Sequence, residues 1–236
     1  MSRRPALWSV LALTAVLTLA APIPRASAVP IITGDGETWI GGAAIGGGAG
    51  STVVIDAHPL WQPAHPDGSL ARWVSYASTG FGGTQLAPQG GSATNPDGTA
   101  VIVTVAERFF ASAGDVLDLK VWADDTARVT IDGLVLAEPN FSQHICADGV
   151  IGCEPGEAGV FSHVFSTTGI HTLSFDLFQV GSGGGPSSNP FGVLYVGELT
   201  ATDEQRRATP EPASLMLVGG GLLVVSTVVR RHRARR

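Results

Sequence analysis

The chain has 236 residues, 44% hydrophobic and only 14% charged, with a formal net charge of −6. Its ends hold most of the positive charge, three arginines in residues 1–28 and five in 210–236, so residues 29–209 keep six basic against 19 acidic groups. A segment this acidic, with Lys120 as its one lysine and no basic stripe, excludes nucleic acid as a partner.

At the N-terminus Arg3 and Arg4 precede an apolar run from Ala6 to Ala21, and Ala26-Ser27-Ala28 is a small-x-small site. This is the pattern of a signal peptide over residues 1–28, with the mature chain starting at Val29 and the export translocon and signal peptidase as partners. Ser2-Arg3-Arg4 leaves a twin-arginine route as an alternative. Residues 29–51 read as a Gly-rich leader. Its stretch Gly46–Thr52 lacks the lysine of a phosphate loop and reads as a flexible linker.

From residue 52 onward, apolar residues alternate with polar ones. Leu117, Leu119 and Val121 point one way, and Asp118, Lys120 and Trp122 the other. Similar alternation marks Arg128–Leu136 and His171–Val180. Further strands are predicted at Thr52–Asp56, Arg72–Ala77, Thr99–Phe110, Gly159–Ser166 and Phe191–Thr202. Turn signals such as Asp67-Gly68, Gly114-Asp115 and Asp132-Gly133 separate them. No amphipathic helix of useful length occurs before the tail. About eight short strands over residues 52–202 predict an all-β fold, an antiparallel β-sandwich of jelly-roll type, with residues 203–209 as a linker.

The chemistry-bearing residues are sparse. No nucleophile elbow and no zinc-protease motif occurs, which points away from an enzyme. Asp124 and Asp125 read as a turn leaving a strand or as ligands of a structural calcium; no other cofactor is implied. Trp122 is a candidate sugar-stacking residue if exposed, and a packed residue under a loop if not. Trp61, between Pro59 and Pro63, reads as a loop anchor. Cys146 and Cys153 are the only cysteines and, in an exported chain, read as a disulfide pinning a surface loop. His58, His65, His144, His163 and His171 are scattered.

A resemblance runs through this region. Trp73-Val74-Ser75-Tyr76, the strand around Val101–Phe110, Leu119–Asp125, Val129–Gly133, Gly169–Phe175 and Phe191–Val196 follow one another as in galactose-binding-like jelly rolls of exported bacterial proteins. This chain has Asp125 where those domains usually have Asn, and Asp132-Gly133 where they have Asn-Gly. The resemblance implies a fold that permits polysaccharide binding without requiring it.

The tail is the most specific part. Thr209-Pro210-Glu211-Pro212 leads into 17 uncharged residues, Ala213–Val229, and the chain ends with Arg230, Arg231, Arg233, Arg235 and Arg236. At about 1.5 Å rise per residue the run just spans a bilayer core, and the arginines hold its far end in the cytoplasm. This order resembles the PEP-CTERM sorting signal of Gram-negative bacteria, over residues 210–236. The resemblance implies recognition of Pro210, Glu211 and Pro212 by an exosortase, a membrane cysteine protease, and an association with biofilm and exopolysaccharide. The expected path is an inner-membrane-anchored precursor with a periplasmic ectodomain, then a surface or extracellular product. The expected function is a non-catalytic surface or matrix protein, possible polysaccharide binding included; a hydrolase or lyase on the same fold and a purely structural matrix protein are the alternatives.

Overall fold

Alternation of small β-branched and aromatic residues with polar ones produces strands and little else. The structure, a computed structural model, describes residues 28–34, 36–88, 99–141, 150–180, 184–185 and 187–201. The signal segment, Cys146, His144, the sorting residues Pro210–Pro212, the apolar run 213–229 and the terminal arginines lie outside the described residues.

Twelve strands form among the described residues: β1 (Val29–Ile32), β2 (Thr38–Gly41), β3 (Ala49–Ser51), β4 (Val53–Val54), β5 (Val74–Ser75), β6 (Val103–Ala111), β7 (Val116–Asp124), β8 (Thr126–Ile131), β9 (Leu134–Ala137), β10 (Gly159–Val164), β11 (Gly169–Phe178) and β12 (Gly192–Thr200). They make two antiparallel sheets. The first, sheet A, has the order β10-β7-β12-β5-β4, with β1 also paired to β12. The second, sheet B, has the order β3-β2-β6-β11-β8-β9. The expected all-β sandwich is therefore present.

The core lies between the inner faces. Leu117, Leu119 and Val121 of β7 meet Val103, Val105, Leu173, Phe175 and Leu177 of β6 and β11 in one buried cluster. Tyr195 of β12 stacks on Phe175 across the sheets, with ring centroids 4.5 Å apart. Its hydroxyl donates to Glu107 Oε2 at 2.5 Å and lies 3.3 Å from Glu37 Oε1. Burial, then the charges of Glu107 and Glu37, push this phenol well above its ordinary value. Glu37 is itself buried, accepting from the Gly34 N–H and the Thr52 hydroxyl, so the segment between β1 and β2 is fastened to the core.

The strand count exceeds eight for two reasons. The stretch 29–51, expected to be a linker, supplies β1 to sheet A and β2 and β3 to sheet B. Its glycines serve close backbone approach rather than flexibility. A Cβ on Gly42 would sit 1.9 Å from the Val101 carbonyl oxygen, and one on Gly50 would sit 3.1 Å from the Trp39 indole nitrogen. The single strand expected at Arg128–Leu136 is instead a hairpin, β8 and β9, folded at Asp132-Gly133. Both residues have positive φ, 50° and 82°, the requirement of the tight two-residue turn that Asp-Gly favours. The Asp132 carboxylate holds this turn to β11, accepting from the Thr172 N–H at 2.8 Å and pairing with His171 Nδ1 at 2.5 Å.

Phe175 is fully buried and touches both sheets through Tyr195. Phe175→Ala is expected to cost about 3–5 kcal/mol, read as a lower urea midpoint at unchanged slope.

Candidate functional site

The outer face of sheet A is where sequence and topology build a concavity. Registers place three rungs side by side across it. One rung is Pro30, Glu198, Asp118 and Ser162; the next is Ile32, Val196, Lys120 and Val160; the third pairs Leu194 with Trp122. The loop between β4 and β5 folds back over the third rung and stops short of the first two.

Three indoles hold that loop. Trp61 and Trp73 pack with centroids 4.1 Å apart, and both join Trp122, Leu194 and Ile55 in a second buried cluster. The Trp61 indole N–H donates to Asp124 Oδ2 at 2.8 Å, and the Trp73 indole N–H donates to the Gln62 carbonyl at 2.7 Å. The Gln62 N–H in turn donates to the Cys153 carbonyl at 2.6 Å. Further along, His65 and Asp67 adopt left-handed φ values of 64° and 54°. That kink brings Asp67 Oδ2 within 2.6 Å of Lys120 Nζ.

The result is a groove with two adjoining arms, both bounded by Asp67, Lys120 and Val160. The larger, about 530 Å³, has Ile32, Val160 and Val196 as apolar floor and Ser69, Asp118 and Glu198 among its polar groups. The smaller, about 280 Å³, is lined by Gln62, Pro66, Trp122, Gly156 and Ala158. The Trp122 side chain is buried, and its indole N–H has no acceptor among the described residues. The atom is shielded from solvent, so a buried donor is left unpaired here at a cost of about 1–3 kcal/mol.

Asp124 and Asp125 sit at the end of β7, behind the indoles. Both are buried. Burial, then the negative charge of Asp125 and the hydrogen bond the two carboxyls share, push Asp124 well above the usual carboxylate range; the Trp61 N–H pulls the other way. Asp125 Oδ2 accepts the Val180 N–H at 2.7 Å. The pair therefore ties the loop over β4–β5 and the segment after β11 to the end of β7. Calcium takes roughly six to eight oxygens, whereas among the described residues both carboxyls accept from protein N–H groups and no three His, Cys, Asp or Glu side chains cluster as metal ligands. Neither carboxyl lines the groove.

The expected site residues thus part company. Trp122 lies on the outer face as its alternation required, but the loop covers it, so it offers the groove an edge rather than a stacking platform. Trp61 anchors its loop. Cys153 is buried among the indoles and is not a free thiol; Cys146, its expected partner, lies outside the described residues. Sequence reasoning missed the groove residues Asp67 and Glu198. The outward phase of Asp118 and Lys120 was legible, but their meeting with Glu198 and Asp67 depends on strand register and on a loop kink.

Comparison with known proteins adds one firm point. Residues 208–234 match the PEP-CTERM protein-sorting motif. The molecule is thus an exported β-sandwich protein whose precursor is membrane-anchored through its C-terminal segment. The chain is also similar to the native structure of a family 35 carbohydrate-binding module from Clostridium thermocellum, over 73% of this chain and 99% of that one, with 10% identity and a TM-score of 0.36. At that distance the likeness identifies no ligand. No curated protein matches the chain.

Because the Asp124 carboxyl is raised in the fold, the folded chain holds its proton more tightly than the unfolded chain, where it ionises near about 3.9. Its contribution is complete below that value and is lost as pH rises towards the raised folded value. Asp124→Asn stays neutral while keeping an acceptor for Trp61 and a donor for Asp125. Thermal melts from about pH 4 upward are expected to show the wild type losing stability relative to this variant.

Proposed function

We propose that this protein is a non-catalytic surface or matrix component whose sandwich binds polysaccharide in the sheet A groove, after sorting by an exosortase. The observation that carries the reading is the groove's composition. An apolar floor of Ile32, Val160 and Val196 lies beneath polar groups at Asp67, Ser69, Asp118, Lys120 and Glu198. Sugar rings have apolar faces edged with hydroxyls, and a concave site with a few placed polar groups suits them. The Lys120–Asp67 pair is exposed and worth about 0–1 kcal/mol, so exchanging it for sugar hydroxyls costs little.

The hydrolase or lyase alternative needs a perturbed carboxyl pair open to a cleft. Asp124 and Asp125 are perturbed and paired, but they are buried against Trp61 and Val180 and do not line the groove. In this reading they brace the loop instead. A structural protein with no sugar ligand is separated from ours by a binding measurement alone.

The sorting motif accounts for location. Its Pro210-Glu211-Pro212 is the exosortase recognition element, and the run 213–229 with the terminal arginines is the transient anchor. Cys146 and Cys153 form the disulfide that pins the loop before β10.

Two outcomes check this. The intact mass of the mature protein from its host is expected to end near Thr209 and to retain the arginine tail when the exosortase is deleted; a tail retained in the presence of the protease contradicts the sorting reading. In calorimetry against the host's purified exopolysaccharide, Lys120→Ala is expected to weaken binding at least about tenfold, or about 1.4 kcal/mol, with little change in melting temperature. An unchanged affinity would remove the groove from the reading.

A further inference from the structure

The end strands of the two sheets differ in how they are protected. An end strand presents unpaired backbone N–H and C=O groups to any second chain, and proteins blunt it by shortness, charge, proline or a bulge. β3 and β4 are three and two residues long. β1, bonded only to β12, carries Pro30. β9 has a register irregularity against β8 between Val129 and Thr130, and the exposed Glu138 follows it directly. β10 has none of these devices. It runs for six residues in unbroken register with β7 and, among the described residues, has no strand on its other side. Residues 158–168 contain no Asp, Glu, Lys, Arg or Pro, although residues 29–209 hold 19 acidic groups.

We propose that β10 is the contact through which two copies of this chain join, edge to edge and antiparallel, about a two-fold axis at Ser162. The alternation of the strand fixes which backbone groups are free. The Phe165 N–H donates to the Asp115 carbonyl at 2.9 Å, one position beyond the register of β10 with β7. Odd-numbered residues of β10 therefore direct their backbone groups at β7, and Val160, Ser162 and Val164 direct theirs outward. Val160 and Val164 are 70% and 61% exposed, and Ser162 is exposed between them. Their order, Val-Ser-Val, reads the same in both directions. With Ser162 opposite the partner's Ser162, Val160 meets the partner's Val164, and the outward groups complement one another in about six hydrogen bonds. On the other face, half-buried Phe161 falls opposite the partner's His163. Glu157, the nearest acid, falls opposite the partner's Thr167, so no like charges meet. An unrelated strand gains nothing from this symmetry; a second copy does.

A two-fold axis of this kind stands perpendicular to the sheet, so both outer faces lie on one side and sheet A runs on through its copy. Val160 borders both arms of the groove, so the two grooves open side by side. The pairing goes beyond the polysaccharide reading and does not rest on it; a polymer that fits one groove gains affinity by spanning two. One strand pair is a small interface, so the dimer is weak and depends on concentration.

The test is sedimentation equilibrium on the protein as its native host produces it, from about 1 μM to about 1 mM, with backbone hydrogen exchange at both limits. The wild type is expected to pass from monomer to dimer, and the N–H groups of Val160, Ser162 and Val164 to become protected as it does. Ser162→Lys and Ser162→Glu each set like charges opposite one another across the axis and are expected to weaken self-association at least about tenfold. Ser162 is exposed and its backbone groups do not serve β7, so both variants are expected to keep the wild-type melting temperature. A one-to-one mixture of the two is expected to restore the dimer, because opposite charge rescues only a residue that meets its own copy. A wild type that stays monomeric across the range overturns the proposal. So does a dimer in which those three N–H groups exchange as fast as in the monomer, a dimer that both variants leave unchanged, or a mixture that does not recover.

Discussion

One hydrogen bond organises the outer surface of this sandwich: the Trp61 indole N–H to Asp124 Oδ2. Sheet A is buried on its inner side by sheet B, like any sandwich sheet. Its outer side would be solvated if the loop between β4 and β5 did not lie over it. That loop contains three prolines between residues 58 and 67 and two left-handed non-glycine residues, so it has little regular structure of its own to hold it. What holds it is the packing of Trp61 and Trp73 on Trp122, with Asp124 satisfying the Trp61 donor that burial would otherwise strand. The groove exists because this cover ends at Asp67 and leaves the first two rungs open. Fold stability and site shape therefore meet at a carboxyl that never touches the site.

This arrangement explains why the fold was legible in the sequence and the site was not. β7 announces itself through Leu117, Leu119 and Val121, because a sheet face buried on one side imposes period two on the chain. The turn at Asp132-Gly133 is equally readable, because few residues other than glycine and aspartate tolerate its dihedral angles. The leader misled because composition cannot distinguish a flexible glycine from one required by contact. Gly42 is there for the Val101 carbonyl, 59 positions downstream, and no local window contains that contact. The aspartate pair was ambiguous in a related way. Adjacent carboxylates fit a turn or a cation, and only the fold shows that both are buried and that one accepts from Trp61. The rung of Asp118 and Glu198 is visible only once β7 and β12 are paired in register.

Acidity has separate consequences at different depths. In the core, Glu37 and Glu107 are drawn together by the Tyr195 hydroxyl, which fastens the leader and β6 to β12. At the edge of the sandwich, Asp132 fixes a turn through β11. On the outer face, Asp118 and Glu198 have no such internal task. Composition reports only the excess of acids; position divides it into groups that serve the fold and groups left for something else.

The topology also brings the two ends of the described chain together. β12 is the hub of sheet A, bonded to β7 along its whole length on one side and to β1 and β5 on the other. Among the described residues it is also the last strand, so sheet A cannot close until residue 200 is in place. Val29 lies opposite Leu199, so the described chain begins beside the point where it ends. Both of those points lie at one end of the sandwich, and Glu198 is three residues from Ala201 there. The sorting motif begins at residue 208, seven positions beyond Ala201, so the C-terminal segment departs from the same end of sheet A as the rung of Asp118 and Glu198.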